Sequence, residues 1–196
     1  DLKRIIAVAS LVAALGLYVI TGNAESVSVG KMALSGKTID YVNQTVVVEG
    51  KASFTSAPSK SALPSGTMRL DWIKADTIRV DLVKDKTGKL APKETQATGG
   101  VTIKATRADE VTSESGQRSV VLRDVLATAK TATLLRGDDK ILLTGNVVVK
   151  VTEPGVAEPV AVVSGSKITV SLKENRMRIE SDTEENPAHI YTQRGK

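Results

Sequence analysis

Alternation with a period of two constrains this chain more than any other feature, because it recurs through most of the sequence after residue 25. Between Ile141 and Val151 the odd positions carry Ile141, Leu143, Gly145, Val147, Val149 and Val151. Lys140, Thr144, Asn146 and Lys150 hold even positions, with Leu142 and Val148 as exceptions. Ile168, Val170 and Leu172 alternate with Lys167, Thr169 and Ser171, and Ile78, Val80 and Leu82 with Thr77, Arg79 and Asp81. Met68, Leu70 and Trp72 interleave with Arg69 and Asp71, Val101 and Ile103 with Thr102 and Lys104, and Met177 and Ile179 with Arg176, Arg178 and Glu180. Successive side chains of a strand point to opposite faces, so each run predicts a strand with one oily and one wet face. A series of such strands predicts an antiparallel sheet folded around one interior. Trp72 falls on the oily side of its run and is expected in the core near one end of that interior.

Turn chemistry separates the runs. Arg136-Gly137-Asp138-Asp139, Lys173-Glu174-Asn175, Glu153-Pro154-Gly155 and Lys86-Thr87-Gly88 read as short connections, and Ser56–Gly66 as a longer polar loop. No segment after residue 25 carries a capped helical stripe. Asp124–Leu135 contains Ala127, Ala129 and Ala132, but threonines alternate with them and the segment reads as strand. The segment 181–196 is polar and is expected to be a loosely held tail.

The first 24 residues read as an address. Lys3 and Arg4 precede an apolar run from Ile5 to Ile20, and Gly22 and Ala24 stand two apart after it. A basic head, an apolar stretch and small residues make up a secretory signal peptide, with cleavage expected after Ala24. The run is shorter than the ~20 residues of a spanning helix. It is close enough to that length for a retained anchor helix to be the competing expectation. Either way residues 25–180, the β domain, lie outside the cytoplasm.

Composition narrows the chemistry. The chain has no cysteine, which excludes disulfides, thiolate metal sites and cysteine nucleophiles. Its single histidine, His189, lies in the polar tail and reads as exposed. Asp138-Asp139 and Glu184-Glu185 are adjacent pairs, and neighbours along a strand or turn point apart rather than converge. Catalysis, a metal and a cofactor are therefore not expected. The net charge of +5 suits an anionic partner without identifying one, and no basic block interleaved with aromatics suggests nucleic acid. Aromatics are 3% of the chain against 41% apolar residues in all, so the interior must be aliphatic. Arg136-Gly137-Asp138 spells an adhesion tripeptide, and its place in a turn explains it sufficiently.

An internal repeat is visible on this map. Val46 to Phe54 resembles Ile141 to Val149: an apolar strand passes through a central glycine, Gly50 or Gly145, and continues with alternating residues. Ala75 to Leu82 then matches Gly165 to Leu172, and a shorter copy begins at Gly99-Gly100-Val101-Thr102-Ile103. A glycine inside a strand marks a bend or bulge, and bends at matching points would curl a sheet.

This unit resembles the OstA-like periplasmic domain, found in the lipopolysaccharide-transport proteins LptA and LptC and at the start of LptD. The likeness rests on Gly50 to Phe54, Ala75 to Leu82, Gly100 to Ile103, Gly145 to Val149 and Gly165 to Leu172. It implies an open, twisted antiparallel β-jellyroll whose aliphatic slot holds acyl chains and whose copies or partner jellyrolls stack through edge strands. The implied partner is lipopolysaccharide or a related glycolipid, and the implied place is the periplasm. A cleaved leader would suit the soluble bridge, and a retained one the anchored, LptC-like member. Candidate slot residues are Trp72, Ile78, Val80, Leu82, Val101, Ile103, Ile141, Leu143, Val147, Val149, Ile168, Val170 and Leu172. Sequence alone does not divide lipid contact from packing among them. A structural envelope domain that pairs edge to edge without lipid fits the same pattern. A carbohydrate-binding sandwich fits less well, because it would need aromatic platforms.

Overall fold

The computed structural model describes residues 18–20, 25–29, 32–56, 62–174, 176–180 and 189–192. Their regular structure is entirely strand: β1 (Tyr18–Ile20), β2 (Glu25–Val29), β3 (Met32–Gly36), β4 (Thr38–Val42), β5 (Thr45–Ser56), β6 (Thr67–Lys84), β7 (Leu90–Thr112), β8 (Arg118–Leu135), β9 (Lys140–Thr152), β10 (Ala161–Ser171), β11 (Arg176–Glu180) and β12 (His189–Thr192). All belong to one antiparallel sheet in the order β1-β2-β3-β5-β6-β7-β8-β9-β10-β11. At each margin two short strands share one long partner, β3 and β4 on β5, and β12 and β11 on β10. Most of the expected N-terminal helix lies outside the described residues. Its described part, Tyr18–Ile20, is extended and pairs with β2. No helix among the described residues is long and apolar enough to cross a membrane.

The repeated glycines explain how so long a sheet bends. On β5, β7 and β9 two consecutive residues adopt left-handed backbone: Gly50-Lys51 (φ 74° and 57°), Gly99-Gly100 (81° and 56°) and Gly145-Asn146 (79° and 52°). At each pair the register slips, so that one residue of the neighbouring strand faces two. A Cβ on Gly99 would stand 2.7 Å from Asp76 Cβ, and the equivalent atoms on Gly50 and Gly145 would stand 2.6 Å from Lys37 Cβ and 2.8 Å from Lys130 Cβ. Only glycine satisfies both the backbone and the close approach. The bulges therefore lie in register across the sheet and bend it there.

The bend folds the sheet over one aliphatic interior. Leu34, Val46, Val48, Phe54, Ile73, Ile78, Val80 and Ile168 are all at most 1% exposed. Met68 N, at the start of β6, donates to Leu172 O, just after β10, across 3.0 Å. Those strands lie four places apart in the sheet order, so the contact is made by curling rather than by ladder pairing. Asp124–Leu135 is strand, as its alternating threonines imply. The tail differs from expectation: His189–Thr192 forms β12 on Ala161–Ser164, because Ile190-Tyr191-Thr192 has the β-branched and aromatic character that suits a strand.

Candidate functional site: an aliphatic interior with a seam and a charged end

Eleven of the thirteen sequence-predicted positions turn inward and are buried: Ile78, Val80, Leu82, Val101, Ile103, Ile141, Leu143, Val147, Val149, Ile168 and Val170. Leu172 is half-buried in the turn after β10 and packs on the same cluster. Trp72 is not among them. The register with β7 advances from Leu70 opposite Ala105 to Trp72 opposite Lys104, so Asp71 is an extra residue and the phase inverts. Trp72 consequently lies on the outer face, half-exposed, with Lys74 Nζ 4.9 Å from its ring centroid, a cation–π distance. The signal was readable: apolar positions shift from Met68 and Leu70 to Ile73 and Ala75, which leaves Trp72 out of phase with Ile73.

The interior is narrower than an open slot. Its apolar void is about 20 Å³, between Ile103, Ala105, Val125, Leu143, Val149 and Met177 among others. That is room for about one water, and a lining without polar partners keeps it dry. Alternation alone did not reveal the lining by Ala105, Val125 and Ala127, because small residues register weakly as apolar runs. Met68 and Met177 also face this void. Unbranched methionine adapts to new shapes more readily than the β-branched residues elsewhere in the core. Beside them runs the seam, where Met68 N–Leu172 O is backed by Leu172 N donating to Asp139 O at 2.8 Å.

Beyond the void, where Arg107 pairs with Met68 across the ladder, the inward stripe of β7 and β8 becomes charged. Ile103 and Ala105 are followed on the same face of β7 by Arg107 and Asp109, and Ala127 and Val125 on β8 lead to Arg123. Arg107 Nε donates to Asp109 Oδ1 at 2.7 Å, and Arg123 Nη1 to Asp109 Oδ2 at 2.8 Å. Arg123 also grips Glu153, through Nε at 2.9 Å and through Nη2. Asp109 is only 8% exposed. Burial alone pulls the Arg123 guanidinium down from its ordinary value, but the hydrogen bonds to Glu153 and Asp109 outweigh it and leave it raised. The apolar path is thus stoppered at this end by an ion network whose members satisfy one another. Sequence reasoning missed it, since residues 107, 109, 123 and 153 lie far apart in the chain.

The outer edges of the sheet are unfilled on two sides. Val42 on β4 is 62% exposed, and Ile190 and Tyr191 on β12 are 67% and 60% exposed. His189 is exposed, and no group of three or more His, Cys, Asp or Glu among the described residues could hold a metal ion.

A single antiparallel sheet, bent at repeated bulges and curled over an aliphatic interior without closing its ladder, defines a β-jellyroll of the OstA-like type. The chain belongs to the family described as LptA/(LptD N-terminal domain) LPS transport protein, whose model matches residues 66–176, more than half of its length. Its fold is similar to that of LptH, the LptA homologous periplasmic component of the conserved lipopolysaccharide transport device from Pseudomonas aeruginosa. The TM-score is 0.52 at 11% identity, over 83% of this chain and 95% of that one. At that identity the likeness speaks for the fold. Comparison with curated protein sequences returns no match.

Proposed function

We propose that this protein is a periplasmic carrier in lipopolysaccharide transport that takes the acyl chains of lipopolysaccharide, or of a related glycolipid, into its aliphatic interior. The observation that carries the reading is the continuous inward aliphatic stripe in a sheet whose halves meet at a seam rather than in a closed ladder. Family membership and the periplasmic setting of LptH support it. Because the resting void is so small, loading requires the halves to part near Met68, Met177 and Leu172. Each methylene that enters contributes about 0.8 kcal/mol, so a few carbons of one chain offset the lost contacts across the seam. The margins at β4 and β12, where Val42, Ile190 and Tyr191 are exposed, are where neighbouring jellyrolls, of this chain or of partners, would add strands. The reading requires no bond to be made or broken.

The nearly filled interior and open margins also favour a second reading, an envelope scaffold that pairs edge to edge without lipid. Photo-crosslinkers at inward Leu143 and Val147, each compared with its outward neighbour Leu142 or Val148, separate the two. The carrier reading expects lipopolysaccharide labelled from the inward pair and not from the outward one. Labelling of protein from β4 and β12 probes with no lipid adduct from any inward position would leave the scaffold.

A further inference from the structure

The strip formed by β9, β10 and β11 has two chemically opposite faces. Inward, Ile141, Leu143, Val170 and Met177 border the apolar void. Outward, the same segments form a polar groove of about 310 Å³ lined by Lys140, Thr169, Ser171, Arg176 and Arg178, with Glu174 and Glu180. The residues converge by register: Ser171 pairs with Lys140 on one side and with Arg176 on the other, and Thr169 pairs with Arg178. Adjacent strands lie ~4.8 Å apart, so Lys140 and Arg176 flank Ser171 at a spacing that their side chains can close onto one anion. Ser171 is 9% exposed and so forms the groove floor.

The charge balance of the groove is uneven. Glu180 is already engaged, by Lys167 at 2.8 Å and by Arg178 at 3.3 Å. Lys140 and Arg176 have no carboxylate within ion-pair distance among the described residues, although both project on the same face. Lys140 on β9 and Arg176 on β11 stand on either side of Ser171 on β10, so an anion seated over Ser171 meets both cations.

We propose that this outer groove binds a phosphate monoester, and specifically one on the head group of the lipid whose chains occupy the inner face. The inference rests on the carrier reading and deepens it. β11 lies at the margin of the sheet, so one amphiphile can lie over it with tails against Met177 and phosphate against Arg176. Arginine and lysine then make charge-assisted bonds to phosphate oxygens, with the Ser171 and Thr169 hydroxyls as additional donors.

The test uses the full chain, its Lys140→Ala/Arg176→Ala variant and a control, Lys150→Ala, an exposed lysine on β9 outside the groove. Three probes are titrated: phosphorylated lipopolysaccharide, the same lipid after enzymatic removal of its phosphates, and inorganic pyrophosphate followed by the amide shifts of Ser171 and Arg176. The double variant is expected to bind the phosphorylated lipid at least about tenfold more weakly, a loss of ~1.4 kcal/mol or more. Its affinity for the dephosphorylated lipid should match the parent's, and the control should behave as the parent throughout. Equal affinity of variant and parent for the phosphorylated lipid overturns the proposal. If pyrophosphate shifts the groove amides while lipid affinity is unchanged by the double substitution, the groove serves free phosphate and the head-group assignment falls. If the parent binds neither form of the lipid, the carrier reading has failed, and the pyrophosphate titration still reports whether the groove binds anions.

Discussion

Replacing Asp109 with alanine removes the acceptor shared by two guanidiniums at the charged end of the interior. Arg107 loses its one ion-pair partner among the described residues, and Arg123 keeps Glu153. The side chains of Asp109, Arg107 and Arg123 are 11%, 26% and 23% exposed, so the bonds lie mostly out of water. A hydrogen bond to a charged group contributes about 1.5–3 kcal/mol, and the partial access of water to the two arginines favours the lower part of that range. The two bonds together give an expected loss of about 3–4 kcal/mol for Asp109→Ala. For a chain of this size that lowers Tm by roughly 5–15 °C. The comparison is Glu110→Ala, which removes the 3.2 Å pair with Arg118 where the side chains are 47% and 76% exposed. A surface pair of this kind is worth less than about 1 kcal/mol. Urea unfolding followed by far-ultraviolet circular dichroism and by the fluorescence of Trp72 gives both values on one scale. A third variant, Arg107→Met with Asp109→Leu, should recover part of the loss, because exchanging both partners for apolar groups leaves less charge unpaired. If Asp109→Ala lies within about 0.5 kcal/mol of the parent, or costs no more than Glu110→Ala, the network does not stopper the interior and that part of the reasoning is wrong.

Other expectations concern the bend, the outer face and the margin. Gly99 and Gly100 both have left-handed backbone, but a Cβ meets Asp76 only at Gly99 and open space at Gly100, so Gly99→Ala should destabilise clearly more than Gly100→Ala, which should cost about 1 kcal/mol in urea unfolding. Fluorescence from Trp72 should be quenched by iodide in the free protein and should change little when lipid is added; strong protection by lipid would return it to the interior. Glu180 is held below its ordinary carboxylate value by Lys167, first through a hydrogen bond and then through charge. A depressed folded value means its contribution is present above the ordinary value of 4.5 and fades as pH falls through the folded one. The protection factors of the Ile168 and Ile179 amides, taken relative to the intrinsic exchange rate at each pH, should therefore fall on acidification below that range, and Glu180→Gln should remove that pH dependence.

Most of the fold was legible because period-two alternation records which face of a strand is dry. Ile141 to Val151 and Ile168 to Val170 kept one phase throughout, and both face inward as read. The repeated glycines also carried their meaning, since a left-handed pair tolerates few other residues. Trp72 failed where the phase broke: a single inserted residue, Asp71, inverts the side chains from Trp72 to Ala75 until a second shift restores the phase before Ile78, and the only warning is the move of apolar positions from Leu70 to Ile73. The width of the interior was not legible either. It depends on how closely Ala105, Ala127 and Ala132 let the curled halves approach, which is a property of the bend rather than of any one strand. The charged stopper joins β7, β8 and the turn after β9, and the outer groove joins β9, β10 and β11, so no local pattern records them. His189–Thr192 escaped notice because four residues are too few to show a period.

The central claim is that a nearly filled interior opens along its seam to take lipid. The chain contains no cysteine, so Met68→Cys and Leu172→Cys can be introduced as its only pair and joined either by oxidation or by a short reducible bis-thiol linker. The account predicts that the joined protein binds lipopolysaccharide at least about tenfold more weakly than the same protein after reduction. Equal lipid binding by the joined and the reduced forms would contradict it.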